Sequence, residues 1–240
     1  MNKLTTTLLI PAINEIDGLK AIMPKIDRSW VDQILIVDGN SNDGTVEFAK
    51  SQGYEIHVQS QKGLRHAYNE GFKKVRGDIV ITLSPDGNCI PEYIPKLIEE
   101  MNKGFDMVIA SRYKDDAKSE DDDLLTAFGN KMFNTITGLL HKFPYTDCMG
   151  IFRAYRTQFY YDLGLDKDES YRPEKIFQTI LGIEPLLSVR AAKMKLKIGE
   201  ISADEPPRIY GVRKLQIFRW GGAYMSQVIL EYFSNKYRAK

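Results

Sequence analysis

The sequence predicts an α/β fold: a mostly parallel sheet with helices on both faces, folded as a single domain. Two observations carry that expectation. Five short runs, each almost wholly apolar, read as strands buried on both faces, and they alternate with stretches of helical period. Regular alternation of this kind gives parallel strands joined by helical crossovers. The chain has 240 residues and 43% hydrophobic content, ample for a core, and no repeat or low-complexity linker divides it.

The elements follow in order. Strands are expected at "TTTLLIPAI" (Thr5 to Ile13), "QILIVDG" (Gln33 to Gly39), "YEIHVQS" (Tyr54 to Ser60), "DIVITLS" (Asp78 to Ser84) and "DMVIASR" (Asp106 to Arg112). Helices are expected at Ile16 to Ile26, Thr45 to Gln52, Leu64 to Val75 and Pro91 to Lys103, the last opening on a proline, which a first helical turn tolerates. "KDDAKSEDDD" (Lys114 to Asp123) reads as a charged, solvated connection. A longer helix follows from Leu124 to Leu140, then "YTDCMGIFRAYR", further helical pieces and an extended run "LKIGEISADEPP" (Leu196 to Pro207). The second half is less regular than the first.

Composition excludes several function classes. The 33 basic and 32 acidic residues nearly cancel, so no global field marks a nucleic-acid binder. No apolar stretch approaches the roughly eighteen residues of a membrane span, and the amino terminus "MNKLTTTLLIPAINE" lacks the layout of a secretory leader. The two cysteines, Cys89 and Cys148, have neither metal-ligand spacing nor a disulfide framework and read as packing residues. A cytoplasmic protein is the expectation.

Parallel strands send their carboxyl ends to one edge, where ligands of open α/β sheets collect. That edge should carry "PAINE" (Pro11 to Glu15), "VDGNSNDGT" (Val37 to Thr45), "KGLRHAYNEGFKKVRGD" (Lys62 to Asp78), "SPDGN" (Ser84 to Asn88) and "ASRY" (Ala110 to Tyr113). Glu15 suits the positive end of the next helix, and "NDGT" reads as turn and cap chemistry. Lys62 and Arg65, beside Gly63 and the amides of a helix start, could face a diphosphate; His66 has no visible partner and reads as structural. "SPDGN" is either a polar turn or a place for a metal or phosphate, since Asp86 ends a buried strand.

The order and spacing of these segments resemble the family 2 glycosyltransferases of the GT-A fold, most closely the polyprenyl-phosphate (dolichyl-phosphate) mannosyl- or glucosyltransferase branch, over nearly the whole chain. In the second half "YTDCMGIFRAYR" is similar to that branch's Asp-x-x-Gly-x-Phe-Arg-x-Tyr-Arg segment, and "EPPRIYGVRKL" to its Arg-x-x-Gly-x-Ser-Lys-Leu segment. The resemblance implies a nucleotide-sugar-binding half over about residues 1–113 and an acceptor-shaping half with a helical tail over about residues 114–240. Pro11, Ala12, Asn14, Glu15, Asp38, Lys62, Gly63, Arg65, Ser84, Pro85 and Asp86 would then border a nucleoside diphosphate sugar, GDP- or UDP-linked. Members carry Asp-x-Asp, often followed by a third ligand, where this chain has Ser84, Asp86 and Asn88, so Asp86 and Asn88 are the expected ligands of Mg²⁺ or Mn²⁺. A second departure is Gly39, where members have another aspartate.

Members of this kind invert the anomeric centre by direct displacement. A hydroxyl acceptor would need a general base, and Asp147 matches the family's aspartate. A phosphate acceptor needs only cations, for which Arg112, Arg208, Arg213 and Lys214 are the matches, so that Asp147 and Arg112 are the catalytic candidates the resemblance implies. The expected activity is hexose transfer to a polyprenyl phosphate or related membrane-linked acceptor; the alternatives are transfer to a glycan hydroxyl in cell-surface polysaccharide synthesis and a non-catalytic nucleotide-sugar-binding member. A nucleotidyltransferase lacks its glycine-rich basic loop here. "EDDDLLTAFGN" (Glu120 to Asn130) puts acidic residues where the branch has basic and serine residues. The tail has apolar residues at Leu215, Phe218, Met225, Ile229 and Phe233 and reads either as an interfacial helix making peripheral membrane contact, or as a core-packed or dimer-forming helix broken at Gly221 and Gly222.

Overall fold

The structure is a computed structural model and describes residues 3–208 and 217–239. Its strands are β1 (Thr6–Ala12), β2 (Gln33–Asp38), β3 (Glu55–Val58), β4 (Ile79–Thr82), β5 (Met107–Ser111), β6 (Arg153–Arg156) and β7 (Ile198–Ser202), forming one seven-stranded sheet in the order β3-β2-β1-β4-β6-β5-β7. The helices are α1 (Ile16–Ile22), α2 (Thr45–Ser51), α3 (Leu64–Gly71), α4 (Ile94–Asn102), α5 (Leu124–His141), α6 (Phe159–Asp162), α7 (Pro173–Phe177), α8 (Glu184–Lys193) and α9 (Ile217–Phe233). The expected five strands form, each trimmed by one to three residues. The first helix ends early, at Ile22, and a 3-10 turn with Pro24 at its centre follows it, since proline has no amide to continue the helix.

Side chains alternate across the sheet with period two, which builds a core on each face. Leu8 and Ile10 pack with Leu19, Leu97 and Met101 beneath α1 and α4, whereas Leu9 packs with Tyr68, Tyr155 and Leu186 beneath α3 and α8. All strands except β6 run in one direction; β6 is antiparallel to both β4 and β5. Sequence reading gave no strand there, because "RAYR" places arginines at both ends of a four-residue run and offers no apolar pattern. The reversal has a functional result. An antiparallel strand begins where its neighbours end, so the residues just before β6 are delivered to the edge where β1, β4 and β5 finish.

The helix expected from Leu124 starts there, with a reciprocal cap: Asp123 Oδ1 accepts from the Thr126 amide at 2.8 Å, and Thr126 Oγ1 accepts from the Asp123 amide at 3.0 Å. The tail helix departs from expectation. It is not broken at Gly221 and Gly222 but runs unbroken through both as α9. A Cβ at Gly222 would lie 2.7 Å from the Phe177 ring, so this glycine lets α7 and α9 approach closely. Below it Ala223 and Val228 are buried, and Glu231 bonds Arg190 at 2.7 Å and Lys193 at 2.9 Å on α8. One face of α9 is therefore core, while Leu230 and Phe233 stay exposed. No helix among the described residues is long and apolar enough to cross a membrane.

The two glycines should separate in a thermal melt. Gly222→Ala overpacks against Phe177 and is expected to cost about 1–3 kcal/mol, lowering Tm by about 2–10 °C. Gly221→Ala adds a methyl that meets nothing within 4 Å and is expected to raise Tm slightly, through a helix-propensity gain of up to about 1 kcal/mol. The reverse order would contradict the packing described.

Candidate active site

Beyond β4 the chain turns through Ser84, Pro85, Asp86, Gly87 and Asn88. Gly87 has φ of 85°, a left-handed conformation that favours glycine, and it fixes the direction in which Asp86 and Asn88 leave the turn. A Cβ at Gly18 would fall 1.9 Å from the Pro85 carbonyl, so α1 lies directly on this turn. Asp86 is 8% exposed. Its Oδ2 meets Arg208 Nη2 at 3.1 Å, and its buried Oδ1 has no hydrogen-bond partner among the described residues. The Asn88 amide donates to Glu205 Oε1 at 3.2 Å, and the Asn88 carbonyl oxygen is 3.7 Å from the Cys89 thiol. A buried carboxylate oxygen without a donor among the described residues, on a turn that also carries the Asn88 amide oxygen, fits a hard divalent cation. Among the described residues no group of three or more His, Cys, Asp or Glu is arranged as a metal site, so a cation here would complete its shell with other oxygens.

Arg112 follows β5 directly, and Asp147 stands in the turn ahead of β6. Arg112 donates to Asp147 through Nε at 2.7 Å and Nη2 at 3.0 Å, a fork on a carboxylate. The Asp147 carboxylate also accepts from the Gly150 amide at 2.9 Å and, more distantly, from the Arg112 amide at 3.4 Å. Burial works against both charges, yet each holds the other: the carboxyl of Asp147 lies below the usual carboxylate range and the guanidinium of Arg112 above its own. Asp147, the expected general base, is fully buried, stands behind Arg112 rather than in the cavity wall, and has all its strong acceptor positions filled. Its contacts hold the Arg112 guanidinium in place.

Three residues that sequence reading did not single out hold this turn. Glu200 on β7 accepts from the amides of Thr146 at 3.0 Å and Asp147 at 3.2 Å, Asn134 on α5 accepts from the Cys148 amide at 2.8 Å, and Arg153 bonds the Gly150 carbonyl through Nε at 2.7 Å. Arg153 lay inside a matched segment; the other two carried no sequence signal. Burial pushes the Cys148 thiol up to about 12 and the Cys89 thiol higher still, which agrees with both as packing residues.

Asp86, Asn88 and Arg112 open onto a cavity of about 480 Å³, whose other wall includes Asp121, Asp122, Leu125, Asn130 and Phe133, with Trp220 and Tyr224 of α9 closing one side. The segment Lys114 to Asp123 is thus more than the solvated connection expected. Ser119 bridges to Glu205, the Glu120 amide donates to the Glu205 carbonyl at 2.8 Å, and Asp121 Oδ2 is 3.7 Å from Arg208. Asn130 donates to Tyr113 Oη at 2.6 Å, and Tyr113 in turn donates to Asp122. Glu205 Oε2 meets Arg112 Nη1 at 3.4 Å, and burial raises its carboxyl above the usual range, as it does that of Glu184, which also lines the cavity.

The expected donor residues divide. Pro11 and Ala12 end β1 beside Val37 and Asp38 of β2, at the same edge as the Ser84 to Asn88 turn. Asn14 accepts from the Asn42 amide at 2.9 Å and its own amide donates to Ser41 at 2.8 Å, while the Glu15 amide donates to Thr45 at 3.1 Å, so the two strand ends are laced together. Asp38 is fully buried and bonds the amide and hydroxyl of Ser41. Lys62 is exposed, and Gly63 has φ of 114° with no room for a side chain against Ile180. Arg65, expected near the diphosphate, has a buried guanidinium that forks onto Glu174 at 3.0 and 2.8 Å, bonds Asp168 at 2.7 Å and stacks on Tyr171. Arg213 and Lys214 lie outside the described residues.

Comparison with known proteins agrees with this layout. The model of "Glycosyl transferase family 2" matches residues 7–164. Glycosyltransferase AglJ of Haloferax volcanii is 25% identical over 202 residues, covering 84% of this chain and 63% of the relative. A dolichol-phosphate mannosyltransferase of Pyrococcus furiosus is 36% identical over 122 residues, 48% of this chain and 35% of the relative. The chain therefore spans less than two thirds of the length of either. Among solved structures, glucosyl-3-phosphoglycerate synthase of Mycobacterium tuberculosis in complex with Mn²⁺, UDP and phosphoglyceric acid superposes with a TM-score of 0.68 at 15% identity, covering 96% of this chain and 79% of that one. That likeness shows the fold, GT-A. With the family match extending from β1 to the end of α6, the chain belongs to glycosyl transferase family 2.

Proposed function

We propose that this protein moves a hexose, of the mannose or glucose type, from a GDP- or UDP-linked sugar to a polyprenyl phosphate or related membrane-linked acceptor, inverting the anomeric centre. The observation that carries the reading is the buried Asp86, which lines the same cavity as Arg112 and Arg208 and whose Oδ1 has no hydrogen-bond partner among the described residues. Asp86 and the Asn88 carbonyl would hold Mg²⁺ or Mn²⁺, which when bound supplies positive charge to the departing diphosphate. A relative of the same fold was solved with Mn²⁺ and UDP, which supports that assignment. The strand ends at Pro11, Ala12, Asn14 and Glu15, with Asp38, Lys62, Gly63, Ser84 and Pro85 nearby, are the surface proposed to border the nucleoside.

On the acceptor side Arg112, held by Asp147, and Arg208 both line the cavity, and the buried Nε of Arg208 has no partner among the described residues. Two such guanidinium groups suit a phosphate. With a second pKa of about 6, a phosphomonoester is already anionic at neutral pH and needs no base. Leu125, Phe133 and Trp220 give the cavity an apolar side suited to a lipid stem, and Leu124, 92% exposed, with Phe128 on α5 would face the membrane surface. A curated relative named as a dolichol-phosphate mannosyltransferase supports this acceptor class. A glycan hydroxyl is the second reading, favoured by Asp121 and Asp122 in the cavity wall, which oppose an anionic acceptor. Its base would be a carboxylate facing the cavity and not Asp147.

The test supplies radiolabelled GDP- and UDP-hexoses with Mn²⁺ to polyprenyl phosphate and, separately, to lipid-linked saccharides. The expected result is an acid-labile lipid phosphosugar, with Asp86→Ala lowering kcat/KM by at least about a hundredfold, of the order of 2.7 kcal/mol. Label entering only the saccharide would establish the hydroxyl reading, and no transfer to either would leave a non-catalytic binder. Asp147→Asn is expected to raise the acceptor KM about tenfold or more and to lower Tm, with the pH profile of kcat unchanged. Loss of kcat with KM and Tm intact would restore Asp147 as a base.

A further inference from the structure

The turn from Ser84 to Asn88 brings one carboxylate to the cavity, but a second reaches the same place from a strand end far along the chain. We propose that Glu205 supplies the second carboxylate of the divalent-cation site at Asp86 and Asn88. The inference rests on the reading of Asp86 as a cation ligand.

Glu205 is fixed on both sides. Its amide donates to the Lys118 carbonyl at 2.9 Å, its carbonyl accepts from the Glu120 amide at 2.8 Å, and Ser119 Oγ donates to its Oε2. Oε1 lies 3.2 Å from the Asn88 side-chain nitrogen. A carboxylate only accepts, so Glu205 faces the NH₂ of Asn88, which holds the two side chains side by side, while the Asn88 side-chain oxygen lies 3.7 Å from the Cys89 thiol.

The two carboxylates are placed alike. Each has one oxygen against an arginine: Asp86 Oδ2 at 3.1 Å from Arg208, Glu205 Oε2 at 3.4 Å from Arg112. The other oxygens are the less engaged ones: Asp86 Oδ1 has no partner among the described residues, and Glu205 Oε1 accepts from the neutral Asn88 amide at 3.2 Å, at the long end of hydrogen-bond range. Both line one cavity, Asp86 is more than nine-tenths buried, and Ser84 adds a hydroxyl. Two carboxylate oxygens, an amide oxygen and a hydroxyl form an all-oxygen set of the kind Mg²⁺ and Mn²⁺ take, and the second negative charge is what holds the ion before any diphosphate arrives.

Nucleotide-free Mn²⁺ is titrated into the full chain and the free ion followed by electron paramagnetic resonance, in wild type, Asp86→Ala, Glu205→Gln and Asp204→Asn, each checked for an unchanged melt. Asp204 lines the same cavity and controls for its general field. The expected result is one site in wild type, weakened at least about tenfold in both Asp86→Ala and Glu205→Gln, about 1.4 kcal/mol, and within threefold of wild type in Asp204→Asn. If Asp86→Ala loses the ion and Glu205→Gln keeps it, the inference falls while Asp86 stands as a ligand. Equal weakening by Asp204→Asn, or no wild-type binding of free Mn²⁺ up to millimolar concentration, also overturns it. If Asp86→Ala binds as wild type does, the reading of Asp86 itself is lost.

Discussion

A fully buried guanidinium, that of Arg153 on β6, is the constraint on which the site depends. Among the described residues no carboxylate bonds it. Its donors go to the carbonyls of Gly150, Cys148 and Glu184 and to the Ser188 hydroxyl at 2.9 Å. A buried charge must have its donors met, and this one is met by the turn carrying Asp147 on one side and by the start of α8 on the other. The antiparallel direction of β6 places that turn at the carboxyl edge of the parallel strands. Arg153 then fixes its shape, the turn fixes Asp147, and Asp147 fixes Arg112.

The cavity that results is electrostatically tight. Carboxylates from four segments converge on two arginines, and each arginine already meets more than one of them. Arg112 is held by a short fork on a fully buried partner, so its position is set before any ligand enters. Arg208 spans Asp86 and Asp121 at 3.1 and 3.7 Å, longer contacts in a less enclosed place. Of the two, Arg112 is the more tightly held.

Much of the first half was legible from sequence. Apolar runs of four to seven residues and helical-period stretches gave β1 to β5 and α1 to α5 in order, and the edge carrying Asp86, Arg112 and Asn14 followed from the parallel direction. What was not legible came from distant partners. β6 is a strand only because β4 and β5 bond it on both sides, and its own arginines hide that. The acidic partners of Arg65, Glu174 and Asp168, lie more than a hundred residues on and were not visible in the sequence. Gly222 looked like a helix break because Phe177 on α7 was not visible as the reason for a small residue. Glu200, Asn134 and Glu205 act through contacts that no local pattern encodes.

The account's central claim is that the turn from Ser84 to Asn88 is a donor site and more than a polar turn. Calorimetric titration of GDP, UDP, CDP and dTDP into wild type and Asp86→Ala, each with and without Mn²⁺, tests it most directly. The account predicts that one of the four binds, that Mn²⁺ tightens it about tenfold or more, and that Asp86→Ala removes the Mn²⁺-dependent gain. Binding of none of the four, or identical titrations for wild type and Asp86→Ala, would contradict it.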